Sequence, residues 1–228
     1  MGHLNPLFDL FFPPRCIFCC SRLEGEGAFS TCEKCLAKLP VHCCHRCGHP
    51  LPEQIDPCPV CRDYKLSFHG ACAVDLYRGR MKRVVQKYKY GRQKHLAGPL
   101  GKLMARRLKK CGWPQLSAVV PVPLHRQRLL ERGYDQSLLL AQVIGDELGL
   151  PVRTVLVRSR PTPSQTKLGH NERWQNVRDA FSVLPEHTVS GRLLLVDDLL
   201  TTGATAHFAA AALLSAGAQE VYLAVVGR

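Results

Sequence analysis

From about residue 72 onward, apolar positions alternate between two spacings. "SAVVPVP" (117–123) reads as a short buried strand stopped by prolines, and "SLLLAQVIGDELG" (137–149) places apolar residues at helical spacing with Gly149 positioned to end the helix. "VRTVLV" (152–157) alternates as a strand does. "RLLLVDD" (192–198) is a strand, "TAHFAAAALLSAG" (205–217) a helix with Gly217 as its stop, and "EVYLAVVG" (220–227) another strand. Strand, helix, strand in this order predicts a parallel sheet with crossover helices. In such sheets ligands gather at the carboxyl ends of the strands.

Before residue 72 the informative residues are cysteines. Eleven of the twelve fall within 16–72, and eight form four CxxC pairs: Cys16/Cys19, Cys32/Cys35, Cys44/Cys47 and Cys58/Cys61. Each CxxC turn points two thiolates at one spot, so two turns complete a tetrahedral zinc site with no open position. About two structural zinc ions are therefore expected. Consecutive pairs sharing an ion and a crossed arrangement both satisfy the spacing. Disulfides suit a reducing cytoplasm poorly, and a redox CxxC needs one pair, not four. So short a segment folds on metal binding, not on core alone.

Composition adds a soluble globular protein, with 46% hydrophobic residues in 228. "PLFDLFFPP" near the start is too short for a membrane span, is interrupted by Asp9, and lacks the flanks of a signal peptide. A cytoplasmic chain without membrane insertion is the expectation. Charge is more telling. Residues 73–112 hold thirteen Lys/Arg against the single Asp75, a local +12 in a chain whose total is +13. That stretch reads either as a solvated face on one or two helices or as a surface for polyanions. Tyr77, Tyr88 and Tyr90 lie among the cations, placed to stack on bases or to fill a core at helical spacing.

The chemistry concentrates in "LLLVDDLLTTGATA" (193–206). Asp197 and Asp198 end a buried strand, and Thr201, Thr202, Gly203, Ala204 and Thr205 form the turn that opens the next helix. Unpaired N–H groups and the dipole at a helix start favour an anion. Gly203 lets the main chain approach closely, and the threonine hydroxyls add donors. The two carboxylates need a different partner: vicinal sugar hydroxyls or a hydrated magnesium ion. Together these describe a ribose 5-phosphate site.

This stretch resembles the binding motif for phosphoribosyl pyrophosphate (PRPP) of type I phosphoribosyltransferases. That resemblance implies that Asp197 and Asp198 hold the ribose hydroxyls and that Thr201–Thr205 wraps the 5-phosphate. The order of four CxxC pairs, "KYGRQ" (89–93), "VPVPLHRQRLLERGYDQS" (120–137), "RPTPSQTKLGHNERWQNVRDAF" (160–181) and the terminal loop is similar to the ComF family, zinc-ribbon phosphoribosyltransferase-like proteins associated with competence for DNA uptake. Asp135 stands where many members have Asn. The implied architecture is α/β: a type I phosphoribosyltransferase-like parallel sheet over 73–228, with an N-terminal double zinc-ribbon module over 1–72.

Two further stretches fit that expectation. Arg126, Arg128 and Arg132, carried between a strand and a helix, suit pyrophosphate oxygens. The long polar run "PTPSQTKLGHNERWQNV" suits a lid, with Gln165, Lys167 and Arg173 as the residues to reach phosphates. Asp197, Asp198, Arg126 and Lys167 are the catalytic candidates: loss of pyrophosphate from C1 leaves charge that magnesium and these cations stabilise. No residue stands out as a general base. The expected function is magnesium-dependent transfer of phosphoribosyl from PRPP to an unknown acceptor. The alternative is a non-catalytic accessory protein that binds single-stranded DNA beside a competence helicase-type partner.

Overall fold

The computed structural model describes residues 13–23, 31–53, 55, 58–62, 66–159, 174 and 177–228. Four strands form a parallel sheet in the order β3 (Gly70–Asp75), β8 (Glu220–Gly227), β7 (Arg192–Leu199), β4 (Ala118–Pro121). Its register pairs Leu195 with Leu223 and with Val120. The expected parallel sheet with crossover helices is thus the central structure.

Strand alternation divides its two faces. Leu194 and Val196 enter one core with helices α2 (Gly79–Tyr90), α3 (Ala97–Leu108) and α5 (Gln136–Leu148), whereas Leu193 and Leu195 enter another beneath helix α6 (Ala204–Ser215). Both faces of β7 and β8 are covered, which is why they read as unbroken apolar runs. Helix α5 starts where the Asp135 carboxylate accepts the Leu138 N–H at 2.9 Å and stops at Gly149 in the left-handed conformation. It packs tightly on α3: a Cβ at Gly101 would lie 2.6 Å from the Val143 side chain.

The strand expected at 152–157 does not join this sheet. Val152 makes a single parallel bridge to Val119, and β5 (Leu156–Arg158) pairs antiparallel with β6 (Phe181–Val183). Val155, Leu156 and Phe181 bury themselves in the α6-side core, so the pair forms a small cover there. The boundary expected at residue 72 falls inside β3, whose register with β8 begins at Gly70.

The preceding segment contains the short helix α1 (Glu33–Leu36) and an antiparallel pair, β1 (His42–Cys43) with β2 (Pro50–Leu51). It is attached to the sheet by hydrogen bonds as well as by packing. The Ala71 N–H donates to the His45 carbonyl at 3.0 Å. Arg80 donates to the Cys35 carbonyl at 3.1 Å and lies over the Phe18 ring. Arg107 donates to the carbonyls of Pro40 and Val41 and to the Cys43 sulfur.

The basic stretch therefore has two fates. Ten of its cations are exposed on α2, α3 and the segments beside them, while Arg80, Lys89 and Arg107 are partly buried and bonded inward. The three tyrosines separate as well. Tyr88 is fully buried and donates to the Gln136 carbonyl, Tyr77 is half-buried, and Tyr90 is 63% exposed.

Candidate functional site

A cavity of about 300 Å³ opens at the carboxyl ends of β4 and β7. Asp197, Asp198 and the loop Leu200–Thr205 line one side; Lys89, Arg128, Arg132 and Arg158 line the rest, with Tyr77 and Tyr90 at the α2 end. The position follows from the sheet: β7 outruns β4, so its last residues emerge where β4 has already stopped.

The two acids differ in their surroundings. Asp198 is only 6% exposed, and its Oδ1 lies 2.8 Å from Lys89 Nζ, supplied by the last turn of α2. Asp197 Oδ1 accepts the Asp198 N–H at 2.8 Å and the Ser137 hydroxyl at 3.1 Å. Burial, with the Asp198 charge beside it, pushes the Asp197 carboxyl up to about 7. The pair thus presents one carboxylate held by an ammonium and one poised between its acid and its anion. Such a set both donates and accepts hydrogen bonds, which suits hydroxyl groups.

The loop supplies the opposite polarity. Gly203 adopts φ +87, a left-handed turn that an L side chain strains to make, and caps the start of α6. Thr202 Oγ1 accepts the Ala204 N–H at 3.4 Å. The first turn of this 12-residue helix contains no acidic residue, so its positive end is not neutralised from within the helix. Arg158, lining the same cavity, lies close enough to Arg128 for the two charges to repel; burial and that repulsion together lower the Arg158 pKa. Two guanidiniums held together in a recess favour an anion between them.

The structure brings Asp197, Asp198 and residues 201–205 to one cavity. It does not bring Arg126 there. The arginines occupy a short helix of their own, α4 (Arg126–Arg132), opened by His125 and closed by left-handed Gly133. Arg128 and Arg132, one turn apart, face the cavity; Arg126, exposed, points elsewhere. Gln165, Lys167 and Arg173 lie outside the described residues. Sequence reasoning missed Lys89, Ser137 and Arg158 as neighbours of the acids. Ser137 closes the stretch "VPVPLHRQRLLERGYDQS" and Lys89 opens "KYGRQ", but Arg158 carries no local signal.

The cysteines resolve into two clusters. Cys16, Cys19, Cys32 and Cys35 bring their sulfurs within 4.8 Å of one another, and so do Cys44, Cys47, Cys58 and Cys61. Consecutive pairs therefore share a site, and the crossed arrangement does not occur. Sulfur separations of 3.7 Å (Cys19–Cys32 and Cys44–Cys61) and 3.9 Å (Cys47–Cys58) are far beyond a disulfide bond. They match the edge of about 3.8 Å in a tetrahedron with Zn–S bonds of about 2.3 Å. Each cluster fits one structural zinc ion. Among the described residues, no helix is long and apolar enough to cross a membrane.

Residues 7–63 match the double zinc ribbon domain family. Over 222 residues the chain is 30% identical to competence protein F of Haemophilus influenzae, covering 92% of this chain and 95% of that one. It is also 30% identical to the DNA utilization protein YhgH of Salmonella typhi, over 87% of this chain and 89% of that protein. Among solved structures it is similar to the glutamine PRPP amidotransferase from B. subtilis complexed with ADP and GMP: 25% identity, 57% of this chain, 25% of that longer chain, TM-score 0.39. With near-complete coverage of competence protein F added to two four-cysteine sites and a parallel sheet, the chain belongs to the ComF family.

Proposed function

We propose that the cavity binds PRPP and that the protein transfers its phosphoribosyl group to an acceptor of unknown identity, in the service of DNA uptake or use. One observation carries this reading: the two acids, Asp198 buried and Asp197 partly so, and an anion-favouring helix start line a single recess. Asp197 and Asp198 would hold the ribose 2- and 3-hydroxyls; residues 201–205 would hold the 5-phosphate. Arg128, Arg132 and Arg158 replace Arg126 as the cations for the diphosphate, joined by Gln165, Lys167 and Arg173 if the 161–177 segment closes over it.

The residues act through charge. Lys89 occupies one oxygen of Asp198, so ligand hydroxyls would compete with an ammonium for the same oxygen. Ser137 orients Asp197, leaving its second oxygen for the ligand. Guanidiniums at the diphosphate end would stabilise charge that grows as the C1–O bond lengthens. With Asp198 paired and Asp197 partly protonated, the acids suit sugar hydroxyls better than direct metal ligation. Magnesium fits as an ion bound to the diphosphate, where it would neutralise the leaving group. Functionally the chain divides near residue 72, at the first strand of the sheet, into the ribbon segment before it and the transferase part that includes β3 and all that follows, in a cytoplasm that keeps twelve cysteines reduced.

Titration calorimetry with magnesium and PRPP tests binding, and pyrophosphate release with candidate acceptors, against release with water alone, tests transfer. Absence of heat with PRPP at millimolar concentration would remove the reading. The exposed cations of α2 and α3 favour the second reading, an accessory protein on single-stranded DNA that meets a helicase-type partner. It predicts DNA binding without pyrophosphate release.

A further inference from the structure

Arg228 follows β8, and its main chain is fixed on both sides. Its N–H donates to the Asp75 carbonyl at 3.1 Å, and its carbonyl accepts the Tyr77 N–H at 2.9 Å. From this anchored position the guanidinium joins two segments far apart in sequence. Nε donates to the Cys47 carbonyl at 3.1 Å, and Nη1 donates to the carbonyls of Leu200 at 3.1 Å and Thr201 at 2.6 Å. Cys47 belongs to the second four-cysteine site; Leu200 and Thr201 begin the loop over the large cavity.

Packing follows the same line. Leu66 packs against the second cysteine cluster, and a Cβ at Gly203 would meet its Cδ2 at 3.2 Å. A separate cavity of about 160 Å³, walled by Val60, Cys61 and Arg228, lies behind the loop. The loop is thus a partition between two recesses, and Arg228 touches it from behind.

Peptide geometry gives this contact a consequence. In a trans peptide, the carbonyl of one residue and the N–H of the next point in opposite directions. Turning the Leu200 and Thr201 carbonyls back toward Arg228 turns the Thr201 and Thr202 N–H groups forward, toward the large cavity. Two carbonyls converging on one point would also repel each other without a cation between them.

We propose that Arg228 is a positioning residue that holds the Thr201 and Thr202 N–H groups in an anion-binding orientation and ties that orientation, through Cys47, to the second zinc site. Loss of zinc from Cys44, Cys47, Cys58 and Cys61 then loosens the loop, whereas loss from the first site does not. The first site is held to α2 by Arg80 instead. The inference rests on the PRPP reading for its ligand but not for its geometry.

The test uses the full zinc-loaded chain and its Arg228→Gln, Arg228→Lys, Cys58→Ser and Cys32→Ser variants. Amide exchange of residues 200–205 and PRPP affinity are measured in each, with exchange of 193–196 as the internal reference and zinc content determined. Arg228→Gln should speed loop exchange and weaken PRPP about tenfold each, the equivalent of one or two lost hydrogen bonds, with two zinc ions retained and β7 exchange unchanged. Arg228→Lys, which restores a cation for the two carbonyls but not the fork to Cys47, should recover part of both effects. Cys58→Ser should reproduce the loosened loop, and Cys32→Ser should not. Parent-like loop exchange in Arg228→Gln overturns the proposal, whether or not Cys58→Ser folds. Equal loosening in Cys32→Ser overturns the link to the second site. If the parent fails to bind PRPP while Arg228→Gln still frees the loop, the PRPP reading falls and the positioning role stands.

Discussion

The second cysteine cluster and the carboxyl edge of β7 solve one problem in two ways. Both bury anions, and buried anions persist only with a cationic partner. At Cys44, Cys47, Cys58 and Cys61 all four residues are buried and their sulfurs converge on one point, so a single metal satisfies the set and leaves no position open. At Asp197 and Asp198 the partner is one ammonium, from Lys89, beside a recess of about 300 Å³. Closure makes the first a fastening; incomplete satisfaction makes the second a place for a ligand.

Metal removal should produce the largest effect. Structural zinc sites supply about 10–16 kcal/mol of binding free energy, comparable to a domain's whole stability of about 5–15 kcal/mol. Chelation is expected to unfold the segment up to about residue 62 while the sheet persists, seen as rapid proteolysis of that segment with the far-ultraviolet spectrum mostly retained. Elemental analysis should give two zinc ions in the parent and one in Cys32→Ser. No zinc in folded protein would erase the contrast.

Removing the ammonium comes next. Lys89→Met leaves Asp198 buried and uncompensated, a change that costs about 3–5 kcal/mol. Denaturant titration should show it, and Lys89→Met with Asp198→Asn should recover most of the loss. A stability equal to the parent's in the single variant would mean that Asp198 does not depend on Lys89.

Ligand recognition should respond more modestly. Asp198→Asn and Thr202→Val each remove a bond to the proposed PRPP, a loss of about 2 kcal/mol or roughly thirtyfold in affinity. Calorimetry on folded variants measures it, and unchanged affinity in both would separate the acids from the ligand.

The raised Asp197 carboxyl makes a smaller prediction about pH. It titrates near 7 in the folded chain and near 3.9 when unfolded. Between those values the native state holds a proton that the unfolded state has lost. Its contribution is therefore complete below about pH 4 and is lost as the pH rises through 7. Asp197→Asn should be steadier across that window and melt above the parent at pH 8. Identical pH profiles of melting temperature would show that the carboxyl is not buried as described.

What the sequence reveals follows the same contrast. Ligands of the cysteine sites are legible because a CxxC turn is local, and the acids are legible because they adjoin a helix start. Pairing of the cysteine turns depends on space, since both arrangements fit the spacing. Lys89 is harder still. It lies over a hundred residues before Asp198 and is one of thirteen cations in its stretch, set apart only by its place at the head of "KYGRQ". Burial decides its role: 89 falls beside the buried face formed by Met81, Val84, Val85 and Tyr88. Alternation marks a strand at 152–157, but only Leu156 and Val157 of it fall in β5, and its antiparallel partner β6 has three residues, fewer than alternation needs to declare itself.

The smallest effect expected under ordinary conditions belongs to the outward cations, and it decides between a solvated face and a nucleic-acid surface. Lys82, Arg83 and Lys87 are exposed on α2, unlike Lys89 in the same helix. Exposed charges contribute little to stability, so neutralising the three to glutamine should move the melting temperature by less than about 2 °C. It should leave PRPP affinity unchanged, because none of them lines the cavity. If they meet single-stranded DNA, each contact releases condensed counterions worth about 0.7 in the slope of log affinity against log salt, so the slope should become shallower by about two units. An unchanged slope makes these three a solvated face. Weakened PRPP binding would extend the ligand site onto the outer face of α2 and blur the boundary between the unsatisfied recess and the surface around it.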